Sequence, residues 1–117
     1  MTEHALDPVV LEKLRQLTAP GEPDVLAQVL SLFLEEAPRR IERIRVALQT
    51  RDASEMHRAA HSMKGSAGNI GAMDLLDICR EVDDRARVGD LAGAGLMLDG
   101  LTREYERVEA EIALLIG

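Results

Sequence analysis

Aromatic side chains are almost missing from this chain, which has no tryptophan, one tyrosine and one phenylalanine. Sheets draw heavily on aromatic and β-branched residues, so the shortage speaks for helix packed on helix. Ala, Leu, Val, Ile and Met fill the apolar quota instead. Cysteine is scarce too: Cys79 has no second thiol to pair with, which excludes an internal disulfide and suits a reducing compartment. Positive charge also runs short. Against 21 Asp and Glu there are 14 Lys and Arg, a formal net charge of −7. Nucleic acid rewards clustered cations, so this balance argues against it and for protein partners. No apolar run approaches the roughly 20 residues of a membrane span. The opening MTEHALDP lacks a signal peptide's charged and apolar regions. A cytoplasmic protein is expected, with one domain over residues 1–117, no membrane partner and a core of modest stability.

What is present is helical periodicity. Residues 1–6 read as a short frayed tail, with His4 solvated and idle. Asp7-Pro8 is a helix start, a carboxylate cap followed by proline at the first helical position. Val9, Val10, Leu14 and Leu17 give this helix its apolar side before Pro20-Gly21 turns the chain. Pro23 opens a second helix in which Leu26, Leu30, Phe33, Ala37, Ile41, Ile44 and Leu48 recur at spacings of three and four. Pro38 predicts a bend within it rather than a break, because the apolar phase continues across. Asp52 and Glu55 form a capping box for a third helix that Gly71 ends. A fourth carries Leu75, Ile78, Cys79, Val82 and Ala86 inward and closes near Gly89. Asp90 caps the fifth, with Ala94, Leu98, Leu101, Tyr105, Val108, Ile112 and Leu115 inward and Gly93, Gly95 and Gly100 weakening its start. The expected fold is all-α: an antiparallel up-down four-helix bundle with a short extra N-terminal helix across one end.

The third helix holds the stretch HRAAHSMKGSAGNIG, from His57 to Gly71. On a wheel of about 100° per residue, Met56, Ala59, Ala60, Met63, Ala67 and Ile70 form one apolar stripe. His61, Lys64, Gly65 and Gly68 fall on a different face, with His57 beside them. A glycine inside a helix costs about 1 kcal/mol relative to alanine, so two of them need a reason. Access supplies it: something large must approach His61, and side chains at 65 and 68 would block the way. An open imidazole with a cation one turn on suits modification by an anion, here a phosphoryl group.

Such a histidine must present one neutral ring nitrogen as nucleophile and fix the other as a donor, which sets the tautomer. Lys64 is placed to neutralise a phosphoryl oxygen, with Arg58 a weaker second cation. Ser62, Ser66 and Asn69 are small polar neighbours, and His57 flanks a docking surface. Asp83, one position past the inward Val82, could accept a hydrogen bond from the second imidazole nitrogen if the third and fourth helices are antiparallel.

Ala60-His61-Ser62-Met63-Lys64-Gly65-Ser66-Ala67, followed by Asn69-Ile70-Gly71-Ala72, resembles the signature of histidine-containing phosphotransfer (HPt) domains. The similarity covers nearly the whole chain: Phe33-Leu34 with Pro38 resembles the family's second helix, and Cys79 to Asp83 with Arg87 the helix after the active histidine. Where the family usually has Glu or Gln this chain has Asp83, one methylene shorter. The resemblance implies that His61 takes a phosphoryl group from one receiver-domain aspartate and passes it to another. Receiver domains of response regulators or hybrid histidine kinases would be the partners, docking on the exposed sides of the third and fourth helices around a monomer. It further implies no kinase activity, no cofactor on this chain, and Mg²⁺ and most catalytic groups on the receiver. In keeping with this, the chain has no Gly-rich nucleotide loop.

Other readings differ in class. The histidine domain of a chemotaxis-type kinase would be phosphorylated by an ATP-binding domain. His57 and His61, four residues apart, could grip a metal, but no Glu-x-x-His spacing supports a di-metal bundle and Lys64 would repel a cation. A docking adaptor that needs no phosphorylation would keep its function without His61.

Overall fold

The computed structural model describes residues 4–116, which form six helices and no strand. Helix α1 spans Pro8–Gln16, α2 Val25–Thr50, α3 Ala53–Asn69, α4 Met73–Arg87, α5 Leu91–Gly95 and α6 Leu98–Ile116. α2, α3, α4 and α6 make the bundle: α3 packs between α2 and α4, and α6 lies against α4 and α2. The molecule is elongated, 49 × 26 × 21 Å. α2 is its longest helix, 26 residues that span about 39 Å at 1.5 Å per residue.

The expected stripes of the long helices are buried, except that Leu48, Ile78 and Leu98 are only partly so. In α2 the residues from Leu26 to Ile44 at helical spacing face the core, and the helix runs unbroken through Pro38, which sits on the exposed side. Asp24 rather than Pro23 starts it, the Asp24 carboxylate accepting from the Ala27 N–H at 3.3 Å. In α3, Met56, Ala59, Ala60, Met63 and Ala67 are completely buried; the three alanines let neighbouring backbones approach closely, and the two methionines fill the space between them. Asp52 caps α3 by accepting from the Glu55 N–H at 3.0 Å, but Glu55 does not return the favour. Its carboxylate takes Arg43 at 2.6 Å and Arg58 at 3.0 Å instead, so the capping box is half made.

Three expectations are corrected. Residues 1–3 lie outside the described residues, but the rest of the expected tail is pinned. Ala5 and Leu6 are buried, and their N–H groups donate to the Glu111 carboxylate of α6 at 3.3 and 2.7 Å. His4 is not idle, since its Nδ1 stands 3.9 Å from the same carboxylate. In α1 the buried residue is Leu11, while Val9 and Leu17 are exposed. A nine-residue helix carries too few apolar positions to fix its own rotation, and the Asp7 N–H bond to the Gly71 carbonyl at 2.8 Å sets it. Finally, the fifth helix is two. α5 ends at Gly95, and α6 starts at Leu98 after an exposed Leu96, consistent with the glycines' poor helix propensity. At its far end Leu115 is half-exposed, leaving Ile112 as the last buried residue.

Candidate functional site

The buried stripe of α3 fixes the helix's rotation, and with it the opposite face. His57, His61 and Lys64 differ by about 60° or less on the wheel and stand in a row along that face. On α4, burial of Cys79, Val82 and Ala86 turns the next position, Asp83, towards α3. Asp83 is itself completely buried, which is unusual for a carboxylate and calls for partners.

It has four. His57 Nδ1 bonds to Oδ1, and Arg87 Nε lies 3.4 Å from the same oxygen. His61 Nδ1 is 3.4 Å from Oδ2, and Lys64 Nζ is 3.8 Å from it. The imidazoles of His57 and His61 sit side by side, centroids 5.8 Å apart and tilted by 44°. His61 keeps 55% of its side chain exposed, whereas Asp83 keeps 1%. Asp shortens the side chain relative to the Glu or Gln usual in the resembling family, yet its carboxylate still reaches the imidazole.

Burial alone would raise the Asp83 carboxyl. The hydrogen bonds from His57 and His61, with the charges of His57 and Arg87, outweigh it and hold the group below the ordinary 3.8. An acid held low in the folded state adds stability above its unfolded value. That stability is lost as pH falls through the lowered folded value. Asp83→Asn is therefore expected to reduce stability by about 1–3 kcal/mol at pH 7 and by less below pH 4, narrowing the gap to wild type. Urea denaturation at stepped pH measures it; a gap that stays constant with pH would contradict this account.

The remaining predicted residues divide. Ser62 is exposed beside His61. Gly65 is open, since a Cβ built there meets nothing within 4 Å. Gly68 is different: a Cβ there would lie 3.2 Å from Leu76 Cδ1, so its smallness serves the packing of α3 on α4 rather than access to His61. Arg58 turns away, its guanidinium bonded to Ser54 at 2.9 Å and Glu55 at 3.0 Å. Ser66 and Asn69 face α2. Ser66 Oγ accepts from Arg40 at 3.0 Å, and Asn69 lines a shallow cleft with Val29, Leu32 and Phe33. His57 is only half-exposed and is engaged with Asp83.

Sequence reasoning left Arg87 and Arg40 without a role here. Arg87 stands four residues after Asp83 on one helix, a visible pairing signal. Arg40 depends on how α2 and α3 are matched, which local spacing does not encode. Cys79 is buried, and burial pushes its thiol up to about 12, leaving it an unreactive small hydrophobe. Among the described residues, no group of three or more His, Cys, Asp and Glu is arranged to hold a metal ion, and no helix is long and apolar enough to cross a membrane.

The chain is similar to known proteins in sequence and in fold. The Hpt domain family model matches residues 28–111. Histidine-containing phosphotransfer protein 2 of Arabidopsis thaliana is 27% identical over 103 residues, which cover 86% of this chain and 66% of that protein. Protein 1 of the same plant is 32% identical over 79 residues, covering 66% of this chain and 51% of its own length. The chain thus spans between half and two thirds of these plant relatives. The crystal structure of histidine-containing phosphotransfer protein B from Pseudomonas aeruginosa PAO1 matches with a TM-score of 0.90 at 29% identity, covering 98% of this chain and 96% of that one.

Proposed function

Because this chain belongs to the Hpt domain family, we propose that it is a phosphorelay intermediate. It takes a phosphoryl group onto His61 from a receiver-domain aspartate and yields it to the aspartate of another. The observation that carries the assignment to His61 is its pairing with a buried carboxylate: an exposed imidazole whose Nδ1 faces Asp83 Oδ2 at 3.4 Å.

A carboxylate at Nδ1 keeps the ring proton there, which leaves the lone pair on Nε2. Nε2 attacks phosphorus in line. The N–P bond forms as the bond from phosphorus to the donor aspartate breaks, and its electron pair departs with the donor carboxylate. The Nδ1 proton stays, so the ring becomes positive and Asp83 offsets that charge. Such transfer passes through a loose transition state and depends on positioning and charge stabilisation. Lys64, on the same face, supplies a cation for a phosphoryl oxygen, and the open position at Gly65 admits the receiver. The Mg²⁺ and the other catalytic groups belong to the receiver, and this chain acts as a carrier, not a kinase. Docking around His61 on α3 and α4 is transient, with charge complementarity governing encounter.

The test is incubation with a phosphorylated receiver domain and Mg²⁺, with acid-labile phosphate mapped by peptide mass spectrometry. Label on His61 is the expected result. Absence of label from a panel of receivers and from a small phosphoramidate donor, with the fold intact, would overturn the reading.

A further inference from the structure

The two oxygens of Asp83 are divided between two sets of partners. Oδ1 is held by His57 Nδ1 and lies 3.4 Å from Arg87 Nε. Oδ2 is left for His61 Nδ1 at 3.4 Å and Lys64 Nζ at 3.8 Å. A carboxylate turns easily about the bond to its Cβ, because that torsion is broad. Oδ2 therefore points at His61 only while something ties Oδ1 down.

Arg87 and His57 both touch Oδ1, but they are not equivalent. Arg87 sits on α4, the helix that carries Asp83, and half of its side chain is exposed. It moves with Asp83 and does not fix it relative to α3. His57 sits on α3, one turn before His61. Its bond to Oδ1 ties the carboxylate to the helix that carries the acceptor, and its ring packs beside the His61 ring at 5.8 Å.

We propose that His57 is the positioning residue of the acceptor: its Nδ1–H holds Asp83 Oδ1, which aims Oδ2 at His61 Nδ1 and so keeps the tautomer that leaves Nε2 nucleophilic. The inference rests on His61 being the phosphoacceptor. His57 does not touch the phosphoryl group in this role. It acts only through Asp83.

The test is the single-turnover rate of phosphoryl acceptance from one phosphorylated receiver with Mg²⁺, at saturating receiver so that docking does not enter. His57→Leu and His57→Ala remove the donor and are expected to slow acceptance about tenfold, the lower end of the cost of losing an outer partner that orients a functional histidine. Using both keeps the comparison intact if one fails to fold, which circular dichroism reports. His57→Asn places an amide N–H where Nδ1–H was, and acceptance should return to within about threefold of wild type. In an Asp83→Ala background, His57→Leu should change the rate less than about twofold, since the carboxylate it acts through is gone.

Wild-type rates in His57→Leu and His57→Ala would overturn the proposal. So would His57→Asn as slow as His57→Leu, or an undiminished His57→Leu effect without Asp83. His61→Gln, run alongside, separates the two levels of the argument. Label on His61→Gln would remove the acceptor assignment itself. No label there, with His57→Leu at the wild-type rate, would remove only the role of His57.

Discussion

His61→Gln is expected to carry no acid-labile phosphate after incubation with a phosphorylated receiver, while its thermal unfolding stays within about 2 °C of wild type. The two halves of this outcome have separate causes. More than half of the His61 side chain is exposed, and its bond to Asp83 is long at 3.4 Å, so the fold loses little when it goes. Asp83 keeps His57, Arg87 and Lys64 as partners and is not stranded. The chemistry, by contrast, is lost completely, because an amide nitrogen has no available lone pair with which to attack phosphorus. Acid-labile label and a melting curve on the same preparation check both halves. A destabilised, unlabelled variant would instead make His61 a structural residue.

Gly71→Val should have the opposite profile, with a heavy loss of stability and intact chemistry in whatever remains folded. Gly71 follows α3 with φ of 75°, in the left-handed region that β-branched residues avoid. A Cβ at this position would lie 2.9 Å from Val10 Cβ and 3.1 Å from both Asp7 Cβ and Asp7 N. The crowding strikes the seam where the Asp7 N–H donates to the Gly71 carbonyl, so α1 and the α3–α4 turn are forced apart. Backbone strain and overpacking together should cost about 3–5 kcal/mol, a fall in Tm of roughly 12–20 °C for a domain of this size. Gly65→Ala is the contrast. It meets nothing within 4 Å and lies inside a helix, so it should raise stability by about 0.5–1 kcal/mol. If the two glycines responded alike, the close contact at Gly71 would not be what makes that position sensitive.

The buried stripes of α2 and α3 were legible because helix amphipathicity is local: residues three and four apart share a face whatever the helix packs against. The same rule singled out the face carrying His61, Lys64 and Gly65. It failed where a helix was too short to fix its own rotation, as in α1, where Leu11 rather than Val9 and Leu17 is the core residue. Gly65 and Gly68 looked alike on the wheel. Only the packed structure separates them, because Leu76 of α4 stands over one and open space over the other.

The sequence by itself determined the all-α class, the bundle helices apart from the break between α5 and α6, and the exposed histidine with its cation one turn away. The class follows from composition together with periodicity, and the rest from spacing within single helices. The tertiary structure alone decided how the four partners of Asp83 share its two oxygens, that Arg40 reaches Ser66, and that Glu111 pins the chain at Ala5 and Leu6. Each of these joins residues from different elements, apart from the pairing of Asp83 with Arg87 on α4. Which side chains meet across two packed helices depends on their relative rotation and sliding, and only packing of the whole core sets those.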